Sequence, residues 1–137
     1  MVYVDTNVLI YIIVNQGEEK RDIAARLIRK LIENNEFFLS TLTIQELIYT
    51  LAKLNIDLNQ VTGDVNFYME YIQQSIDKKI LKDAYTFCKE MNFCRNINDG
   101  IHLKVAEQYC NKLVTFDKDF RKFMNRTTIA IEILEGS

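Results

Sequence analysis

Short β-prone apolar runs recur along this chain, and most are followed by a segment whose apolar residues return at helical spacing. Val2-Tyr3-Val4 ends at Asp5, and Asp5-Thr6-Asn7 supplies helix-capping side chains ahead of the apolar stretch 8–14. Residues 18–34 place Ile23, Leu27 and Leu31 with Ala24 and Ile28 on one helical face, acids early and bases late, as the helix dipole favours. Asn34-Asn35 ends that helix, Phe37-Phe38-Leu39 reads as a buried strand, and Ser40, Thr41 or Thr43 caps a helix running to about Leu54. The stretch 65–76 reads as helix with a short strand near 72–76, and residues 80–91 and 99–110 as further helices. Residues 112–116 read as a strand ending at Asp117, followed by a short helix near 120–124 and a last strand over 128–134.

Strands separated by helices pair in parallel through crossover connections, and a parallel sheet needs both faces covered. The predicted class is α/β: a three-layer α/β/α sandwich around a mostly parallel sheet of four to five strands. No internal repeat, low-complexity tract or proline interrupts it, so residues 1–137 read as a single domain. In such sheets a ligand crevice lies beyond the carboxyl ends of the strands, where strand order reverses. Asp5 and Asp117 both follow predicted strands and so point to that crevice.

Composition narrows the function classes. Seventeen Lys plus Arg against nineteen Asp plus Glu gives a net charge of −2, which excludes the strongly basic field of a histone-like nucleic-acid binder. The odd set Cys88, Cys94 and Cys110 has no Cys-x-x-Cys pair, so these read as reduced thiols. A lone histidine, His102, excludes a two-imidazole acid and base pair. Its neighbours Ile101, Val105, Ala106 and Tyr109 favour a hydrogen-bonded structural histidine over a ligand. No basic leader followed by an apolar run opens the chain and no window suits a membrane span, so a cytoplasmic protein is expected.

Four acids sit where the chain leaves a strand or enters a helix: Asp5, Glu46, Asp99 and Asp117. Converging carboxylates repel one another unless protonated or neutralised by a hard cation, and oxygen-only ligation selects Mg²⁺ or Mn²⁺ over zinc or copper. Singly, each has a simpler reading. Asp5 and Asp99 suit helix caps, and Asp117 and Asp119 suit turn positions. At about 100° per residue, Glu46 lies opposite the stripe Ile44, Leu47, Ile48, Leu51 and Leu54, which makes it solvated.

Taken together and in order, the segments Val4-Asp5-Thr6-Asn7-Val8-Leu9, Leu42-Thr43-Ile44-Gln45-Glu46-Leu47, Asn98-Asp99-Gly100-Ile101-His102-Leu103-Lys104-Val105-Ala106 and Leu113-Val114-Thr115-Phe116-Asp117-Lys118-Asp119-Phe120 resemble the four motifs of the PIN-domain nucleases, and in particular the VapC-type toxin ribonucleases. The resemblance spans nearly the whole chain. It implies that Asp5, Glu46, Asp99 and Asp117 form an acidic site for Mg²⁺ or Mn²⁺, with Asp5 and Asp99 as direct ligands. Asn7, Thr115 and Asp119 would be supporting polar groups. Gly100 stands where a small residue such as alanine is common, which should loosen the helix start.

The implied activity is metal-dependent hydrolysis of RNA, with a small antitoxin protein as partner; apolar helical surface near the first two helices or in 65–76 suggests a homodimer. Residues 112–126 carry Lys112, Lys118, Arg121, Lys122 and Arg126 against Asp117 and Asp119, a local excess of +3 suited to phosphates or to a solvated helix face. Tyr3, Tyr11, Tyr49 and Phe120 suit the core better than base stacking. An aspartyl-phosphate phosphatase would want an acid where Asn7 stands, and a receiver domain would want paired acids after the first strand. A housekeeping RNA-processing nuclease and a non-catalytic metal-binding or protein-docking domain remain as alternatives.

Overall fold

The computed structural model describes residues 1–135. Its elements run β1 (Val2–Val4), α1 (Thr6–Ile13), α2 (Glu18–Glu33), β2 (Phe37–Ser40), α3 (Thr41–Lys53), α4 (Leu58–Met69), β3 (Ile72–Gln74), α5 (Lys78–Glu90), α6 (Ile97–Tyr109), β4 (Lys112–Thr115) and β5 (Ala130–Ile133). Short 3₁₀ turns occupy Cys94–Asn96 and Lys118–Phe123.

The strands form one sheet in the order β3-β2-β1-β4-β5, and every pairing is parallel. Alternation along each strand sorts side chains to opposite faces. Val2, Val4, Phe37, Leu39 and Val114 pack beneath α1 to α4 with Leu9, Ile28, Leu47 and Leu51. Tyr3, Phe38 and Leu113 face the other way, against Ile80 and Ala84 of α5, Leu103 and Val105 of α6, and Phe120 and Phe123 of the second 3₁₀ turn. Each fully buried Leu or Phe removes enough apolar surface to contribute roughly 1.5–3 kcal/mol, so the two layers together outweigh any single polar contact. Both sheet faces are therefore covered, as the hydrophobic strands require.

Differences from the sequence reading lie at element ends. The helix expected near 65–76 is α4, which starts at Leu58 because Asp57 caps it, its side chain accepting from Asn59 N at 3.0 Å. α6 begins two residues before Asp99, continuing from the 3₁₀ turn at Cys94–Asn96. Asp99 is thus a first-turn residue, where its charge meets the positive helix end, and is not the cap. The segment near 120–124 is 3₁₀, and the last strand is the shorter β5. Asn35, Asn55 and Asn92 close α2, α3 and α5 with φ of 55°, 58° and 53°, the left-handed conformation asparagine tolerates.

From β1 the chain moves outward to β2 and β3, then returns to place β4 and β5 on the opposite side. Strand order therefore reverses between β1 and β4, and the crevice such a reversal opens lies beyond their carboxyl ends. Asp5 follows β1 immediately, and Asp117 follows β4 after one intervening residue.

Candidate acidic site

Asp5 is pinned between the two central strands. Its backbone N–H donates to Val114 O of β4 at 3.0 Å, and its Oδ1 caps α1 by accepting from Thr6 N at 2.8 Å. Oδ2 accepts from Thr115 Oγ1 at 2.7 Å and from Asn7 Nδ2 at 3.3 Å. Asn7 Nδ2 also donates to Thr115 Oγ1 at 3.1 Å, while Asn7 Oδ1 accepts from Phe116 N at 3.1 Å. Asn7 and Thr115 therefore lock the carboxylate to the turn after β4. Asp5 is only 6% exposed. Burial raises its pKa above the usual carboxylate range, although His102 and the Thr115 hydrogen bond pull the other way.

Glu46 arrives from α3. Its Oε1 accepts from Thr6 Oγ1 at 2.8 Å and lies 2.5 Å from His102 Nε2, and its Oε2 accepts from Asn98 Nδ2 at 3.1 Å. Burial alone would raise its pKa, but these partners, His102 foremost, hold it below the usual value. The solvated position expected from a single apolar stripe is not what forms, since the Glu46 side chain keeps only 25% exposure. α3 carries two working stripes. Ile44, Leu47 and Leu51 enter the core, while Leu42, Gln45, Glu46, Tyr49 and Thr50 line a cleft of about 660 Å³ against α1 and the start of α6.

His102 is fully buried, and both ring nitrogens are engaged. Nδ1 lies 2.5 Å from Tyr3 Oη, which is 2.8 Å from Ser40 Oγ and 3.2 Å from Thr43 Oγ1. Burial disfavours the imidazolium, yet Tyr3, the Glu46 hydrogen bond and the Asp5 charge raise the His102 pKa well above its usual value. As an imidazolium it donates to Tyr3 and Glu46 together, and the Tyr3 hydroxyl in turn donates to Ser40 or Thr43. His102 is thus hydrogen-bonded through both ring nitrogens, as expected of a structural histidine, and its link to Glu46 has no signature in local spacing. Thr6, Tyr3 and Asn98 were missed for the same reason; only the position of Thr6 beside Asp5 hinted at a role.

Asp99 sits half-buried in the first turn of α6. Burial first, then the Asp5 and Asp117 charges, push its pKa up to about 6, with His102 and Lys122 offsetting part of the rise. Asp117 is half-buried and caps the following 3₁₀ turn by accepting from Asp119 N at 2.9 Å, while its own N–H donates to Thr115 Oγ1 at 2.9 Å. Asp119 itself is exposed on that turn, away from the cleft lining.

Ligand atoms of Asp5, Glu46 and His102 lie within 4.8 Å of one another. With both nitrogens committed and His102 Nε2 3.8 Å from Asp5 Oδ1, the histidine serves this group as a buried counter-charge and not as a free donor. The donors left for a hard cation are carboxylate oxygens, which fits Mg²⁺ or Mn²⁺ chemistry.

The basic segment is partly spent. Lys112 pairs with Glu132, and Arg121 pairs with Glu135 at 3.3 Å. The Lys122 ammonium lies 3.1 Å from the Phe93 ring centroid, near enough to Asp99 to act on its ionisation. Among the described residues, the Lys118 and Arg126 side chains are exposed and form no ion pair.

A parallel sheet reversing between its two central strands, with acids near that reversal, defines an α/β sandwich with an acidic crevice, and the particular family follows from the sequence. The PIN domain family model matches residues 2–124, and the chain belongs to that family. Among solved structures, the fold resembles VapBC2 from Rickettsia felis, solved bound to a DNA fragment from its promoter. The TM-score is 0.73 at 18% identity, covering 98% of this chain and 100% of that one. It also resembles FitAcB from Neisseria gonorrhoeae, with a TM-score of 0.64, 20% identity and 96% coverage of each chain. No curated protein matches the sequence significantly. Among the described residues, no helix is long and apolar enough to cross a membrane.

Proposed function

We propose that the protein is a Mg²⁺- or Mn²⁺-dependent endoribonuclease, the cytoplasmic toxin of a VapBC-type toxin–antitoxin pair, with residues 1–137 forming one nuclease domain. The observation that carries this reading is that Asp5, Glu46 and Asp99 line one cleft, the Asp5 and Glu46 carboxylate oxygens within 4.8 Å of each other, in a chain whose PIN domain match spans residues 2–124. Carboxylates arranged against their own repulsion favour a divalent cation, and all-oxygen donors select a hard one.

Asp5 and Asp99 would hold the ion, with Glu46 and Asp117 completing the acidic shell. When bound, the cation supplies water activation and neutralises charge that builds on a phosphodiester during hydrolysis. Asn7 and Thr115 keep one Asp5 oxygen fixed, so the carboxylate enters the reaction already oriented. Glu46, held ionised by His102, Thr6 and Asn98, presents a stationary acceptor that orients water in the cleft. Asp119 contributes its backbone N–H to the Asp117 cap, a support for the loop and not for the ion. Lys118 and Arg126 are the cations left to meet RNA phosphates. The likeness to VapBC2 and FitAcB supports a small antitoxin as partner, and a homodimer is the assembly we expect.

The test is cleavage of a mixed pool of tRNA, rRNA and mRNA by wild-type protein and Asp5→Asn, each with Mg²⁺, with Mn²⁺ and with EDTA. Cutting that needs the metal and disappears in the variant is expected. Folded, antitoxin-free wild type that cuts none of the pool, with no cation-dependent rise in melting temperature, would refute the reading.

A further inference from the structure

We infer that the cleft between α1 and α3 is a nucleotide subsite in which Tyr49 stacks on an unpaired base of single-stranded RNA, next to the acidic site. This deepens the nuclease reading above and rests on it. Four aromatic residues stand in or near the motifs, and the structure separates them. Tyr3 and Phe120 are fully buried. Tyr11 is committed: its ring meets Phe116 edge-on at 4.8 Å, and Lys20 donates to its hydroxyl at 3.3 Å. Tyr49 is 65% exposed, lines the cleft, and has no ring, hydrogen-bond or ion-pair partner among the described residues.

Its placement follows from helix geometry. Glu46 and Tyr49 are three residues apart on one face of α3, so the ring stands one turn beyond the acidic site along the same wall. Gln45 and Thr50 flank it on α3, and Gln16 closes the cleft from beyond α1. An exposed ring in a cleft that the Gln16 and Gln45 amides also line matches a base, whose π-face stacks and whose edge takes hydrogen bonds. An apolar protein segment would leave these amides buried without partners. In a duplex every base is already stacked within the helix, so the subsite selects unpaired substrate.

The test measures binding apart from cutting. In the Asp5→Asn background, fluorescence anisotropy with a labelled single-stranded RNA of mixed sequence is compared with the same RNA as a duplex. Tyr49→Ala should weaken single-strand binding roughly 5- to 150-fold, the range of one base–aromatic stack. Tyr49→Phe should stay close to the parent, and Tyr85→Ala, an exposed tyrosine on α5 outside the cleft, should change nothing. Equal single-strand affinity of Tyr49→Ala and its parent overturns the subsite. If wild type cuts RNA while Tyr49→Ala cuts equally well, the subsite fails and the nuclease stands. Tyr49-dependent binding by a wild type that cuts none of the tRNA, rRNA and mRNA pool under any metal and shows no cation-dependent rise in melting temperature keeps the subsite and removes the nuclease. A changed oligomeric state of Tyr49→Ala by light scattering, with RNA affinity intact, would reassign the ring to a face between copies of the chain and overturn the proposal.

Discussion

Gly100 follows Asp99, and its lack of a side chain is a packing requirement. A Cβ added at Gly100 would lie 2.4 Å from Cys88 Sγ, with the next neighbours, Ala84 O and Ala84 Cβ, at the ordinary distances of 3.7 and 3.9 Å. Cys88 is fully buried on α5, where a helical side chain has few open rotamers into which its sulfur can retreat. In an unobstructed helix, Gly→Ala gains about 0.5–1 kcal/mol. Here overpacking costs about 1–3 kcal/mol, so Gly100→Ala should destabilise by roughly 1–2 kcal/mol. Cys88→Ala alone leaves a void about one heavy atom in size and should cost about 1 kcal/mol. In the double variant the new methyl occupies the space the sulfur vacated, and stability should return to near wild type, a coupling of about 2 kcal/mol. Urea denaturation of the four proteins measures it. Because Asp99 is adjacent, metal-dependent cutting should fall in Gly100→Ala and recover in the double variant. Additive effects of the two substitutions, or a Gly100→Ala protein more stable than wild type, would refute the packing argument.

Other expectations are direct. Asp99 binds its proton more tightly in the folded state, so it favours the metal-free fold below about pH 4 and loses that contribution as pH rises through about 6. The stability difference between wild type and Asp99→Asn, followed by melting temperature, should therefore move against wild type over that interval, and Mg²⁺ should reverse it above pH 6. Asp5→Asn keeps a good helix cap and removes a buried charge, so its melting temperature should equal or exceed that of wild type while cutting is lost; a large fall in stability would contradict this. Tyr3→Phe leaves His102 Nδ1 without its partner and should cost about 1–3 kcal/mol in urea denaturation. Lys118→Ala and Arg126→Ala should each flatten the salt dependence of RNA binding by about one unit of slope, whereas Lys112→Ala, already paired with Glu132, should not.

The order of strands and helices was legible because β1, β2 and β4 are buried on both faces, and such strands must be written as short unbroken apolar runs. β3 was harder to place. Its Ile72 and Gln74 are only half-buried at the sheet edge, and its pairing with β2 shifts register between Leu39 and Ser40, so little hydrophobic pattern marks it. The start of α6 was displaced because Asn96 supplies no side-chain cap bond, and the helix grows out of a 3₁₀ turn instead.

Glu46 shows where reading one helix at a time stops. A wheel assigns a residue opposite the core stripe to water, but α3 also packs against α1, so its second stripe is half-buried at Glu46 and opens only one turn on, at Tyr49. What makes that stripe affordable for a carboxylate is His102, which is 56 positions away and shares no motif spacing with it. The same contact explains why the chain's lone histidine is inside. A buried imidazolium needs acceptors on both nitrogens, and Tyr3 from the central strand and Glu46 from the cleft wall provide them. The strand that delivers Asp5 therefore also delivers Tyr3, two residues before it, and both side chains reach the His102 ring. Disturbing His102 should consequently misplace Glu46 on one side and loosen β1 on the other, so that its loss affects activity and stability together, unlike the loss of Asp5, which should separate them.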